Sequence, residues 1–123
     1  MSLLPALQFR RMISRIWHGW TTRANADAYE RLLLRTIVPG ITARRIPGYR
    51  GMRVDRRDAA DGVEFVTTMF FESLAAVVAF AGTPYERCVV PAAAQALLAR
   101  YDTEAAHYEV RALEPASGSE RVA

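Results

Sequence analysis

The chain contains two histidines, His18 and His107, and histidine is the side chain whose ordinary pKa lies closest to neutral pH. A neutral imidazole can take a proton from an acidic substrate group such as a phenol. Both histidines are therefore candidate catalytic residues. The alternative is that each imidazole hydrogen-bonds to the backbone or to a carboxylate, and Glu104 and Glu109 are close to His107 in the sequence.

Arg15 stands out because it interrupts an otherwise apolar segment, residues 12–20. A half-buried guanidinium needs an anion, which Glu64, a ligand or a partner subunit could supply, and an ion pair is the simplest expectation. Five aromatic side chains could form the walls of a pocket for a flat ligand, because such pockets are mostly apolar with a few polar groups. A structural role in the core is the alternative. The five are Trp17, Trp20, Phe70, Phe71 and Tyr108.

Cys88 is the only cysteine, so the chain can form neither an intrachain disulfide nor a cysteine zinc cluster. It would act as a nucleophile only beside a base that lowers its pKa. Two histidines without a spaced carboxylate motif do not indicate a metal site, and we expect none. A single cysteine fits a reducing compartment, and residues 1–11 place arginine after the apolar part, unlike a secretory signal. We expect a cytoplasmic protein.

Composition limits the function classes. The 123 residues are 51% hydrophobic, which is enough for one core, and the formal net charge is +3. All 16 basic residues are arginine, which excludes the Schiff-base and phosphate-loop enzymes that need a lysine. The arginines alternate with acidic residues in most segments, so we expect no nucleic-acid partner. No apolar run approaches the length of a membrane helix, and we expect no membrane association.

Hydrophobic periodicity predicts elements in the order βαββαβ. A first helix begins after a cap at Thr21 or Thr22 and ends or kinks at Pro39, with one further helical turn possible beyond it. Ser73 caps a second helix, and residues 85–101 are predicted as a helix that is broken by a proline. A type II turn is expected where Pro and Gly precede the second strand. The strands are predicted at residues 12–20, 49–57, 64–71 and 104–113.

In a βαββαβ fold the first and third strands lie at the centre of the sheet, and the helices cover only one face. The third strand, residues 64–71, has apolar side chains on both faces, so neither face is suited to water. We therefore predict a homodimer that stacks two sheets, with side chains that reach only the rim as the alternative. The prediction is an α+β fold with a four-stranded antiparallel sheet over residues 12–112, an extension at 1–11 and a disordered tail at 113–123.

Five segments together resemble the antibiotic biosynthesis monooxygenase family: ISRIWHGW (13–20), NADAYERLL (25–33), IPGYRGMRV (46–54), EFVTTMFFESLAAVVAFAG (64–82) and HYEV (107–110). The resemblance implies a ferredoxin-like domain that pairs into a dimeric α+β barrel. It also implies oxygenation of an aromatic polyketide or quinol without a cofactor, by removal of a substrate proton and reaction of the resulting carbanion-like species with oxygen. The family further includes haem-degrading relatives and members without an assigned activity.

The resemblance therefore implies a cofactor-independent monooxygenase that acts on a small aromatic or quinol-like substrate. Aligning the centres of the first and last strands places His18 opposite His107 on one sheet face and Trp17 beside Tyr108 on the other. The two histidines are then the proton-transfer groups, and Arg15, Trp17, Trp20, Phe71 and Tyr108 bind the ligand. A homodimeric small-ligand-binding or accessory domain without turnover is the alternative, and haem binding or degradation is a further one.

Overall fold

Five strands and four helices follow one another along residues 12–115, the part of the chain that the computed structural model describes. The predicted extension at 1–11 and residues 116–123 of the predicted tail lie outside the described residues. None of the described helices is both long and apolar enough to cross a membrane. The strands are β1 (Ile13–Thr21), β2 (Tyr49–Ala59), β3 (Gly62–Phe71), β4 (Leu98–Tyr101) and β5 (Ala106–Glu109). The helices are α1 (Arg23–Leu32), α2 (Val38–Ala43), α3 (Leu74–Ala81) and α4 (Ala92–Gln95), and a π-helical turn (Leu33–Ile37) joins α1 to α2.

The strands form one antiparallel sheet in the order β2-β3-β1-β4, and β5 also pairs with β1. β4 lies opposite residues 19–21 of β1, and β5 lies opposite residues 13–16. The two short strands therefore share one edge of β1 and act as a single fourth strand that is interrupted at residues 102–105. The predicted α+β class, the ferredoxin-like strand order and the central position of the first and third strands are confirmed.

The helices pack on one face of the sheet, and the hydrophobic core lies between the two layers. Side chains alternate along a strand, so the odd-numbered residues of β1 and β3 face the helices. Phe65 packs against Tyr29 and Leu33, and the Tyr29 and Phe65 rings meet edge to face with centroids 4.9 Å apart. Phe71 packs with Val77 of α3 in a second cluster. These contacts fix the helical layer above the sheet.

The first helical segment continues past Pro39 to Ala43, within the further turn that the sequence allowed. Thr22 caps α1 as expected, because its hydroxyl accepts a backbone hydrogen bond from the first turn. Helical conformation continues without a break from α1 through the π-helical turn into α2. In the π-helical turn the N–H of Val38 bonds to the carbonyl of Leu33, five residues back, and Pro39 then occupies the first turn of α2, where no N–H is needed.

The helix predicted at residues 85–101 is wrong. Of this stretch only α4 is helical, and its last part is β4, because pairing with β1 satisfies the backbone better than an isolated alanine-rich helix would. Residues 82–91 form a loop, named here the 82–91 loop. The N–H of Ala105 bonds to the carbonyl of Glu86 at 2.8 Å and ties this loop to the start of β5.

The turn before β2 is the predicted one. The N–H of Tyr49 bonds to the carbonyl of Ile46 at 3.1 Å, and Gly48 has a φ of +85°, which favours glycine. A Cβ at Gly48 would lie 2.8 Å from the Cβ of Ala76 in α3. Glycine therefore serves both the turn and the packing of α3 against it.

Candidate functional site

Arg15 lies in the middle of β1, is 5% exposed and faces the helical layer. Its Nη1 donates to the carbonyl of Tyr85 at 2.6 Å and to Nε2 of His107 at 3.0 Å. Its Nη2 donates to the carbonyl of Arg87 at 3.3 Å and to Sγ of Cys88 at 3.4 Å. Because a guanidinium has only donors, Nε2 of His107 must accept, and the proton of that neutral imidazole is on Nδ1. Arg15 thus links the 82–91 loop and β5 to the central strand.

None of these four partners brings a negative charge to Arg15. Burial raises the pKa of the Cys88 thiol, although the charge of Arg15 opposes this effect, so the thiol stays protonated at neutral pH. Burial, and then the charge of Arg15, lower the pKa of His107 and favour its neutral form. Burial also lowers the pKa of Arg15, but a guanidinium remains charged at neutral pH. Within residues 12–115, Arg15 is a buried positive charge that no carboxylate contacts.

Glu64, which the sequence offered as the ion-pair partner of Arg15, lies on the opposite face of the sheet. It is paired in register with Trp20, an even-numbered residue of β1. Its carboxylate accepts hydrogen bonds from Nδ1 of His18 at 2.7 Å and from Nε of Arg57 at 2.6 Å. These contacts, with His18 first, lower the pKa of Glu64. Of the three anion sources that the sequence suggested for Arg15, Glu64 is therefore excluded.

The predicted pairing of His18 with His107 is also wrong. β5 pairs with β1 three residues away from the predicted register, so His107 lies opposite Arg15. A shift by an odd number places the two imidazoles on opposite faces of the sheet, and it separates Trp17 from Tyr108 in the same way. The physical cause is the interruption between β4 and β5, which shortens the last strand and moves its centre.

A cavity of about 570 Å³ lies between the sheet and the helical layer. This volume falls within the range of small-molecule sites. Arg15 and Trp17 line it from β1, and Cys88 lines it from the 82–91 loop. Among the described residues, the lining includes no aspartate, glutamate or histidine. Apolar side chains from the helical layer and from neighbouring strands complete most of the wall, among them Leu32, Leu33, Ile37, Met52, Met69 and Phe80.

Two aromatic residues shape the wall of the cavity. Tyr29 of α1 is 1% exposed, and burial raises the pKa of its hydroxyl to about 12. The indole of Trp17 donates from Nε1 to the carbonyl of Asp102 at 2.7 Å. It lies over Gly19, where a Cβ would come within 2.6 Å of the ring. Glycine at this position therefore permits the orientation in which the indole lines the cavity.

The structure brings together only part of the predicted ligand wall. Arg15 and Trp17 line the cavity, whereas Phe71 is fully buried in the second core cluster and does not belong to the lining. Trp20 and Tyr108 are on the other face of the sheet. Sequence reasoning missed the cavity-lining role of several helix residues. Their helical periodicity was a usable signal, but it does not distinguish a cavity wall from a packed core.

The second face of the sheet carries no helix among the described residues. The His18 and Trp20 rings stack there with centroids 5.9 Å apart, and the guanidinium of Arg100 lies 3.8 Å from the centroid of the Trp20 ring. Val66 and Phe70 are partly exposed on this face, although the rest of β3 is buried. We name this surface the open sheet face. It comprises Ile16, His18, Trp20, Val66, Phe70 and Tyr108.

Solved structures share this architecture. A Bacillus cereus protein assigned as an antibiotic biosynthesis monooxygenase matches with a TM-score of 0.60 and 17% identity, over 86% of this chain and 99% of that one. A variant of SnoaB, a cofactor-independent oxygenase from Streptomyces nogalater, matches with a TM-score of 0.56 and 18% identity, over 85% and 98%. The ActVA-Orf6 monooxygenase of Streptomyces coelicolor, solved with the ligand nanaomycin D, matches with a TM-score of 0.53 and 16% identity, over 89% and 95%.

Comparison of sequences identifies no relative of the chain. No family model matches the chain, and a search of curated proteins returns no match. The structural matches nevertheless extend over most of the chain and nearly the whole of each matched protein. The chain therefore has the fold of the antibiotic biosynthesis monooxygenase structures, as the sequence resemblance implied.

Proposed function

We propose that the chain is a cofactor-independent monooxygenase that oxidises a small aromatic or quinol-like molecule in the cavity between the sheet and the helices. The observation that carries the proposal is an apolar cavity of about 570 Å³ that is lined by a buried arginine without a carboxylate partner. The likeness of the fold to a cofactor-independent oxygenase supports the proposal. Apolar walls suit an aromatic ring, and the guanidinium suits the negative charge that forms on it.

The proposed reaction begins with loss of a proton from an activated carbon of the substrate. Arg15 stabilises the resulting enolate or phenolate oxygen and thereby makes the substrate a stronger acid. The anion transfers one electron to oxygen, and the two radicals combine into a peroxide on carbon. Loss of the second hydrogen of that carbon as a proton, with cleavage of the O–O bond, leaves a carbonyl group and hydroxide. Hydroxide and the first proton give water, so one oxygen atom enters the product.

The two histidines differ in their roles in the proposed reaction. His107 accepts a hydrogen bond from Arg15, and we assign it the role of a positioning residue that holds the guanidinium at the cavity wall. His18 lies on the open sheet face with Glu64, so it takes no part in the proposed step. In this scheme the charge of Arg15, rather than an imidazole, drives loss of the proton, which leaves through solvent at the exposed Val89 end of the cavity.

Oxygen uptake with a panel of dihydroxynaphthalenes and anthrones tests the proposal. We expect uptake by the wild-type protein and a fall in kcat/KM of about 10²-fold in Arg15→Gln, because the variant loses the group that stabilises the anion. His107→Ala should reduce the rate by a smaller factor. Arg31→Gln removes an arginine from the exposed side of α1 and is the matched control. Absence of uptake with every substrate, from protein that binds them, would reject the oxygenase.

That outcome would favour the second candidate, a small-ligand-binding domain without turnover. One observation supports this candidate: among the described residues, no carboxylate or imidazole lines the cavity, so no general base faces a bound substrate. A calorimetric titration under anaerobic conditions measures binding, and oxygen uptake with the same ligand in air then separates the two candidates. Binding without oxygen uptake is expected for the binding domain, whereas binding with uptake is expected for the oxygenase.

We also propose that the protein is a homodimer in which two copies stack through the open sheet face. Val66 and Phe70 are partly exposed in the centre of this face, beside the stacked His18 and Trp20 rings. Partly exposed apolar side chains in the centre of a sheet face are suited to burial against a second layer. The cavity lies on the other side of the sheet, so each copy would carry its own complete cavity.

A further inference from the structure

We infer that the cavity takes an organic anion: an aromatic or conjugated molecule whose carboxylate, or ionised phenol or enol, pairs with Arg15. The inference rests on the proposed function in placing the ligand in this cavity, and it adds the charge of the ligand. Its basis is the electrostatic state of Arg15 and the geometry around its guanidinium.

A buried charge without a counter-charge is costly, and proteins normally pair it. Arg15 is 5% exposed, and its hydrogen-bond partners within residues 12–115 are two carbonyls, a thiol and an imidazole. Its guanidinium also lies 5.5 Å from the centroid of the Phe80 ring, which carries no formal charge. Glu64 was a candidate partner from the sequence, but its carboxylate accepts hydrogen bonds from His18 and Arg57 on the other face of the sheet. A ligand in the cavity is therefore the group that can complete the charge balance of Arg15.

The geometry also shows where a ligand can approach. Nη1 is held firmly, because its contacts to Tyr85 and His107 are 2.6 and 3.0 Å. Nη2 is held weakly, because its contacts to Arg87 and Cys88 are 3.3 and 3.4 Å and a thiol sulfur is a poor acceptor. An anionic oxygen that takes over the Cys88 contact gains a charge-assisted hydrogen bond while Nη1 keeps the guanidinium in place.

The apolar wall determines the rest of the ligand. Trp17 and Tyr29 present aromatic surfaces, and aliphatic side chains and methionines of the helical layer and strands form most of the remaining wall. Arg44 and Arg87 also line the cavity, and their charges add to its preference for an anion. Such a lining disfavours a small inorganic anion or a sugar phosphate, which would leave most of the cavity unfilled or its polar groups unpaired. A planar hydrophobic body with one delocalised oxyanion fits both features.

The test compares naphthalene-2-carboxylate with naphthalene-2-carboxamide, which have the same size but differ in charge, by anaerobic calorimetry on the full chain. We expect the carboxylate to bind at least about tenfold more tightly to the wild-type protein, because a hydrogen bond to a charged group is stronger than one to a neutral group. In Arg15→Gln the preference should fall to about twofold or less. Arg31→Gln should keep the wild-type preference. Equal binding of the two ligands to the wild-type protein would exclude a carboxylate as the anion that pairs with Arg15.

A second ligand separates carboxylates from phenolates. The visible absorption of 4-nitrophenol reports its ionisation directly, and binding beside Arg15 should increase the ionised fraction relative to free ligand at the same pH. Tighter binding of the carboxylate without a larger ionised fraction of 4-nitrophenol would identify the ligand anion as a carboxylate. A larger ionised fraction without tighter binding of the carboxylate would identify it as a phenolate. Absence of both effects overturns the inference. These readouts need no folded Arg15→Gln variant, and Arg15→Lys, which retains the charge, should keep part of the preference if Arg15→Gln does not fold.

Failure of the inference and failure of the oxygenase are distinguishable. Arg15-dependent anion preference without oxygen uptake would leave the inference standing and reject the oxygenase. Oxygen uptake, together with tighter binding of neutral than of anionic ligands, would reject the inference and leave the oxygenase standing.

Discussion

The surroundings of His107 predict how the stability of the folded protein depends on pH. It packs edge to face against Tyr85 with ring centroids 5.0 Å apart, and its Nε2 accepts from Arg15. Burial and then the nearby guanidinium charge lower its pKa, so the folded protein binds a proton here less readily than the unfolded chain does. Its contribution to stability is complete above the unfolded pKa of about 6.5 and is lost as pH falls through the lower folded pKa.

His107→Gln tests this at the residue scale, because glutamine can still accept from Arg15 but does not titrate. We expect the wild-type protein to lose stability relative to the variant as pH falls below about 6.5, measured as the free energy of unfolding in urea at several pH values. Above about pH 7 the difference should be constant. A wild-type protein that gains stability relative to the variant on acidification would show that the pKa is raised and would contradict the prediction.

At the residue scale, the sequence showed which residues are unusual for their surroundings, but it did not show correctly which residues lie next to each other. Arg15 was recognised because a guanidinium inside an apolar strand needs an anion, and this reasoning required no register. The pairing of His18 with His107 did require one, and an error of three residues placed them on opposite faces. Tyr29 lies on the apolar face of α1, and helical periodicity alone does not indicate that a cavity lies in front of such a residue.

At the scale of elements, two helix caps were predicted from short polar residues ahead of apolar runs, and both are present. The hydroxyl of Thr22 accepts from the N–H of Asn25 at 3.2 Å, and that of Ser73 accepts from the N–H of Ala76 at 3.1 Å. Thr22→Ala and Ser73→Ala should each lower the free energy of unfolding by about 1 kcal/mol, because the first turn then loses a hydrogen-bond acceptor. Chemical denaturation with a constant m-value measures this loss.

Thr42→Ala is the matched control for the caps. Thr42 is an exposed residue within α2, where alanine has the higher helix propensity, so this variant should be neutral or slightly stabilised. Thr22→Asp and Ser73→Asp should restore most of the loss, since aspartate caps equally well. A loss that aspartate does not restore would show that the hydroxyls matter through other contacts.

The elements that the sequence mispredicted are those whose form depends on tertiary contacts. The proline at position 39 removes one N–H, but the π-helical turn before it absorbs the defect, and no propensity scale anticipates that turn. Residues 98–101 favour a helix locally, yet they pair with the end of β1. Long-range pairing therefore overrode local preference in this segment.

At the scale of the whole molecule, the pattern of apolar residues was sufficient for the sheet order. β1 and β3 carry the most apolar sequences, and they occupy the two central positions. The cavity could not be predicted, because the sequence shows which side chains are apolar but not whether they fill the space between sheet and helices. The same limit applies to the open sheet face, whose exposure follows from the lack of a helix over it within residues 12–115.

The open sheet face leads to the final prediction, that the 13.7 kDa chain has twice this mass in solution. Val66→Arg places a charge at the centre of the proposed interface, beside Asp55 in register, which can pair with it and preserve the fold of the single copy. We expect monomers for this variant by light scattering coupled to gel filtration. Leu34→Arg, on a half-exposed helical position, should remain dimeric. A monomeric wild-type protein, or a Val66→Arg variant that stays dimeric, would exclude the open sheet face as the interface.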